Sequence, residues 1–196
     1  MRDRFIAVMS HELRNPLTTL RTGLELLKLA GGDAVTVESA RDMMDRQLKQ
    51  MVRLVDDLLD VSRITMGKLE LQKERVELSA IVHDAVEACG ALIDEQGHKL
   101  IVTLPPEPIL LDVDATRLTQ VFSNLLNNAA KYSERGGEIR LSAVLDGGEI
   151  VVSIRDTGIG IPASKLPNIF DAFVQVDISW ERRQGGMGIG LSLVKE

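Results

Sequence analysis

The chain has a single cysteine, Cys89, in 196 residues, so no internal disulfide can hold it together and no second thiol makes a metal site. Cys89 is expected to fill core space, in keeping with a reducing compartment. Aromatic residues make up only 3%, which leaves Leu, Val, Ile and Met to build the interior. With 44% hydrophobic and 27% charged residues the chain has the composition of a folded protein rather than a disordered one. No apolar run reaches the roughly 18 residues of a membrane span, and the N-terminus carries no charged-then-apolar leader. Positive charge is in deficit: 23 basic against 29 acidic residues give a net charge of -6, without the electrostatic footprint of a nucleic-acid binder. His83 and His98 lack a second ligand type at helical spacing, so a surface or helix-capping place is expected for each.

What is present is strongly periodic. Apolar residues at Ile6, Met9, Leu13, Leu17, Leu20, Leu24 and Leu27 alternate steps of three and four, which predicts a helix over residues 2–30. The break Ala30-Gly31-Gly32-Asp33 reads as a turn, and a second stripe follows at Met44, Leu48, Met51, Val55 and Leu58. Two helices alone bury too little surface to be stable, and both stripes have the narrow form of coiled-coil seams. Pairing with a second copy into a four-helix bundle is therefore expected. Residues 64–73 read as a connector. Beyond it the pattern predicts strands near 75–78, 99–104 and 109–112 and helices near 79–96 and 115–132. Two alternating segments at 139–145 and 149–155 flank the turn Asp146-Gly147-Gly148. The fold class is α+β: a helical hairpin at 1–66, a linker at 67–75, and an α/β sandwich with a mixed sheet over 76–196.

On the first helix the apolar stripe points away from His11, which is expected to face water with Asn15 beside it and Glu12 on its flank. A solvated His-Glu pair is common on helices, but Pro16 is not: it removes the amide that would bond to the Glu12 carbonyl, at a cost of about 3 kcal/mol or more. It is expected to bend the helix next to His11. Imidazole has an ordinary pKa of about 6.5, so at neutral pH much of it carries a free ring nitrogen able to attack phosphorus. Glu12 can take the proton from the other nitrogen, which is general-base chemistry.

The helix at 115–132 places Arg117, Gln120, Asn124, Asn128 and Lys131 on one side and Leu118, Phe122, Leu125 and Ala129 on the other. Asparagines at 124, 127 and 128 are poor helix formers, and solvent contact alone does not require them there. A magnesium ion takes oxygen ligands and bridges nucleotide phosphates, so an amide oxygen suits it. Asp156 ends a strand and can accept from an adenine amino group, while Gly158 and Gly160 let backbone approach a base closely. Gly185, Gly186, Gly188 and Gly190 precede a helix expected from Ile189, whose amides and dipole suit phosphates, although the spacing is neither that of a P-loop nor of a dinucleotide fingerprint.

Four stretches, SHELRNPL at 10–17, NLLNNAAKY at 124–132, DTGIG at 156–160 and GGMGIGL at 185–191, together with Phe170 and Phe173, stand in a fixed order. The chain thereby resembles the sensor histidine kinases of two-component signalling, with H, N, G1, F and G2 boxes over nearly its whole length. The resemblance implies an ATP-dependent protein-histidine kinase core that phosphorylates His11 and passes the phosphoryl group to an aspartate of a response-regulator receiver domain. It gives Asn15 a part in dephosphorylating that regulator, makes Asn128 the ligand of Mg2+ with Asn124 beside it, and sets Lys131 near phosphate and Tyr132 against adenine. Asp156, Gly158, Gly160, Phe170, Gly186, Gly188, Gly190 and Leu191 complete the expected ATP site. A lid over 174–187 would bring Arg182 or Arg183 to the phosphates and change the surroundings of Trp180. The family often has Ser or Thr where Met187 stands, so a hydroxyl contact to phosphate is expected to be missing. It also continues beyond Glu196, which implies a C-terminally incomplete catalytic domain. The stripes lead to a homodimer, the net charge to no nucleic-acid partner and the single cysteine to a cytoplasmic place for this part, and the resemblance adds a sensor or membrane anchor outside the sequence. Two alternatives share part of the pattern. An ATPase of the gyrase and heat-shock type would have a glutamate at Asn124 and no His11 helix, and a nucleotide-binding dimerisation scaffold would lack kinase activity.

Overall fold

A computed structural model of the chain describes residues 2–65, 70–172, 174 and 188–195. It divides into two units, Met1–Lys68 with Asp171–Ser192, and Leu69–Phe170 with Leu193–Glu196. In the first unit α1 (Arg2–Leu29) and α2 (Ala34–Thr65) pack as a hairpin. Asp33 starts α2 by accepting from the amide of Thr36 at 3.3 Å and from its hydroxyl, and these bonds hold its carboxyl below the usual range. α1 continues through Pro16, and that ring is fully buried.

The hairpin interior is offset from the expected stripes. On α1 Pro16 and Gly23 are buried, whereas Leu17 and Leu24 are half exposed. A Cβ at Gly23 would lie 2.6 Å from Met44 Cγ, so the missing side chain is what lets the helices approach. On α2 Ala40 and Leu54 are buried, with Met44, Met51 and Leu58 partly so. Leu48, Val52, Val55 and Leu59 form a second row, 51%, 60%, 45% and 49% exposed. The two faces arise because a helix of 3.6 residues per turn separates positions one residue apart by about 100°, so neighbouring a/d-like rows address different partners.

The second unit consists of β1 (Glu74–Glu77), α3 (Leu78–Glu95), β2 (Lys99–Thr103), β3 (Leu110–Val113), α4 (Ala115–Tyr132), β4 (Glu138–Asp146), β5 (Glu149–Asp156) and a 3-10 turn at Leu166–Asn168. α5 (Gly190–Lys195) starts one residue later than expected and is divided between the units. β2 and β3, on either side of Pro105-Pro106, belong to different sheets: β1 pairs antiparallel with β3, while β4 lies between parallel β2 and antiparallel β5. The larger sheet is mixed, as its pattern implied. Asp146 pairs with Glu149, so the hairpin loop is only Gly147-Gly148, both at positive φ (58° and 89°), as a tight two-residue turn requires.

One face of this sheet carries the core. Ile139, Leu141 and Ala143 of β4 meet Ile81, Val82, Ala85, Cys89 and Ile93 of α3 and Phe122, Leu126, Ala129 and Ala130 of α4. Leu126, fully buried, takes the central place expected of Leu125, which is only partly buried. Cys89 fills core space as its isolation suggested. His83 is exposed. His98 is buried, and its Nε2 donates to the Ala130 carbonyl at 2.8 Å, tying the start of β2 to the last turn of α4.

Candidate functional site

The C-terminal half of α4 and the loop after β5 meet in the second unit. Asp156 ends β5 opposite Ile139, and its exposed carboxylate accepts from the amide of Gly158 through Oδ1 at 2.8 Å. The loop then docks on the end of α4: the amide of Ile159 donates to the Tyr132 carbonyl at 3.2 Å. A Cβ at Gly158 would stand 2.5 Å from that carbonyl oxygen and 2.6 Å from Asp156 Oδ1. Gly158 is thus required by contact with the protein's own backbone, a different reason from the expected approach to a base. Gly160 is required by conformation, with φ of 69° and open space around it.

Thr157 secures the loop from the other side. Its amide donates to the Glu138 carbonyl at 3.2 Å and its Oγ1 accepts from the Glu138 amide at 3.0 Å. The signal for Thr157 in the sequence is a hydroxyl between Asp and Gly after a strand, able to close a turn onto neighbouring backbone. The result is that Asp156 lies at the end of α4 that carries Asn128, Lys131 and Tyr132. Asn124, Asn128, Lys131 and Tyr132 are all half-buried. Lys131 Nζ donates to the Tyr132 hydroxyl at 3.0 Å and sits 4.7 Å from its ring centroid, so the two side chains expected on different parts of a nucleotide touch one another. Among the described residues no cluster of three His, Cys, Asp or Glu could hold a metal, so a cation here would need amide and ligand oxygens.

In the first unit His11 and Glu12 follow one another on α1. The backbone of His11 is described and its side chain is not. Glu12 is 9% exposed, and Asn15 is exposed, one turn of helix after His11. Gly188 (φ 67°), Gly190 at the start of α5, and Leu191 lie in this unit also. Phe170 is 38% exposed at the end of the second unit's main segment. Phe173, Trp180, Arg182, Arg183, Gly186 and Met187, and with them the expected lid, lie outside the described residues.

Residues 1–67 match the His Kinase A (phospho-acceptor) domain, and residues 113–196 match the family of histidine kinase-, DNA gyrase B-, and HSP90-like ATPases. The chain belongs to the sensor histidine kinase family. Sensor histidine kinase MtrB of Mycobacterium tuberculosis is 34% identical over 197 residues, which are the whole of this chain and 35% of MtrB. The Acinetobacter baumannii histidine kinase AdeS has a similar structure, with a TM-score of 0.65 and 26% identity over 94% of this chain and 83% of that one. Full-length ShkA in complex with AMPPNP gives 0.65 and 28%, over 96% of this chain and 39% of that one. The chain spans about a third of the length of the curated relatives it matches. Among its described residues no helix is long and apolar enough to cross a membrane.

Asp114 is a further residue whose place the sequence reading did not single out. It precedes α4, where an Asp is a legible N-cap, and accepts from the Arg117 amide at 3.0 Å. Partial burial pushes its carboxyl upward, but the amides of Arg117 and Gln72, with the Arg117 charge, outweigh this and leave it below the usual range. Its bond to Gln72, 42 residues away, had no local signal.

Proposed function

We propose that the chain is the core of an ATP-dependent protein-histidine kinase, with residues 1–66 as the dimerising phospho-acceptor hairpin, 67–75 as linker and 76–196 as the ATP-binding part. The observation that carries this reading is the docking of the 156–160 loop on the Tyr132 carbonyl, which sets a carboxylate at the end of an asparagine-rich helix face. Oδ1 of Asp156 is held by Gly158, and the second oxygen is suited to accept from an adenine amino group. Asn128, with Asn124 beside it, would hold Mg2+ through its amide oxygen, and the metal when bound neutralises charge on phosphate oxygens. Lys131 leaves Tyr132 to meet phosphate, and the Tyr132 ring then packs on the base. Gly188, Gly190 and Leu191 would complete the phosphate side, with Gly186, Arg182 and Arg183 of the lid, and Phe170 supports the lid's base.

In the reaction a ring nitrogen of His11 forms a bond to the γ-phosphorus, the bond to the bridging oxygen breaks, and ADP leaves. The proton on the other ring nitrogen is drawn toward Glu12, whose burial strengthens that attraction. The phosphoryl group then passes to an aspartate of a receiver domain, and Asn15, exposed on α1, assists its later hydrolysis. The half-exposed row Leu48, Val52, Val55 and Leu59 supports a homodimer closed as a four-helix bundle. The phospho-acceptor match over residues 1–67 favours a kinase over a gyrase- or heat-shock-type ATPase.

The test is incubation with γ-labelled ATP and magnesium. Acid-labile label in the wild type, absent from His11→Gln at unchanged ATP affinity, is expected. Label that persists in His11→Gln would remove His11 from the reaction, and rapid steady phosphate release without labelling would favour the ATPase.

A further inference from the structure

Asp114 spends both carboxylate oxygens on main-chain amides. Oδ1 accepts from Arg117 at 3.0 Å, the N-cap bond that starts α4. Oδ2 accepts from Gln72 at 3.0 Å, and this second bond does nothing for the helix. Its place is explained by topology. β1 and β3 pair from Glu74↔Val113 to Glu77↔Leu110, and beyond Val113 the chain turns into α4. No strand continues opposite Gln72, and the Asp114 side chain supplies the acceptor that a ladder would have given.

Gln72 lies on the chain that arrives from the hairpin, and α4 carries Asn124 and Asn128. We propose that Asp114 is a positioning residue of the kinase: it fastens the incoming tether to the first turn of the nucleotide-binding helix, and so sets the point and direction from which the ATP-binding unit is held. This rests on the kinase reading above. Between the end of α2 at Thr65 and Gln72 the chain can span at most about 25 Å; if the first fixed residue were Glu74, about 32 Å. Effective concentration falls roughly as the −3/2 power of tether length, so added length alone would slow an encounter only about 1.5-fold. A larger effect has to come from lost direction, because reacting groups held at the wrong angle lose much more rate than groups held slightly farther apart.

Two substitutions isolate the second bond. Asp114→Asn keeps an oxygen for the Arg117 amide, and Asn caps helices as well as Asp, but its amide nitrogen cannot accept from Gln72. Gln72→Pro removes the donor and leaves Asp114 untouched. In the whole chain, each is expected to lower the rate of His11 labelling at saturating ATP about 3- to 10-fold. The KM for ATP should stay within about twofold of wild type, and hydrogen exchange at the Gln72 amide should change from protected in the wild type to unprotected in Asp114→Asn. Rates within twofold of wild type in both variants, or a rise in KM equal to the fall in rate, would overturn the proposal. If the wild type takes no label, the kinase reading fails, and the exchange arm then decides the clamp by itself. A Gln72 amide unprotected in the wild type, or equally protected in Asp114→Asn, would refute it.

Discussion

Replacing Gly158 by alanine tests the docking of the 156–160 loop at its tightest point. The added methyl would stand 2.5 Å from the Tyr132 carbonyl oxygen, 2.6 Å from Asp156 Oδ1 and 3.0 Å from the Tyr132 carbonyl carbon. Two of these three atoms are backbone, so no flexible side chain can swing aside and the loop itself must move away from α4. Overpacking of this kind costs about 1–3 kcal/mol. The bonds of Ile159 to Tyr132 and of Gly158 to Asp156, at 3.2 and 2.8 Å, would lengthen as well, at about 1 kcal/mol each. A melting temperature lower by roughly 10 °C or more is expected for a unit of this size, read by circular dichroism. The Asp156 carboxylate shifts with the loop, and loss of a charged hydrogen bond to ATP weakens binding about 10- to 100-fold, read by calorimetry. Gly160→Ala is the control, since its methyl enters open space and meets only the strain of a positive φ, about 1–2 kcal/mol. If Gly158→Ala binds ATP within twofold of wild type, or if Gly160→Ala loses as much affinity, the reasoning that loop docking places Asp156 is wrong.

Three further outcomes are expected. Leu126→Ala, at a fully buried site between α4 and the sheet, should destabilise the second unit by about 2–5 kcal/mol, whereas Leu125→Ala should cost clearly less; chemical denaturation that ranks them the other way would contradict the packing. Leu48→Lys with Val55→Lys should shift the chain from dimer to monomer in analytical ultracentrifugation without loss of helix content, because both residues lie on the exposed row of α2; an unchanged dimer would place the interface elsewhere. The Asp114 carboxyl is held below its ordinary value, near 3.9, so its contribution is fully present above that value and is lost as pH falls below it. Urea melts should therefore show wild-type stability dropping as pH falls below about 4, with a shallower drop in Asp114→Asn; equal slopes would mean that Asp114 carries none of the acid sensitivity.

The α4 boundaries, the positions of the strands along the chain and the hairpin were legible in the sequence because each rests on local physics. An Asp before an amphipathic run caps a helix, paired glycines turn a hairpin, and three-and-four spacing gathers an apolar stripe. The polar face that carries Asn124, Asn128 and Lys131 was legible for the same reason, since fixed periodicity assigns it, whereas the roles proposed for these residues and for Tyr132 toward a nucleotide come from the family resemblance. Which apolar rows face inward was decided only by packing. Leu17 and Leu48 fit the stripes yet remain half exposed, while Pro16 and Gly23 are buried, because a close helix pair selects small and rigid residues at its contact. Tertiary structure alone also decided the long-range contacts. Gly158 against the Tyr132 carbonyl, Thr157 against Glu138, and Asp114 against Gln72 join residues 19 to 42 positions apart. Such contacts depend on how sheet and helix layers meet in space, and no periodicity within a single element encodes that meeting.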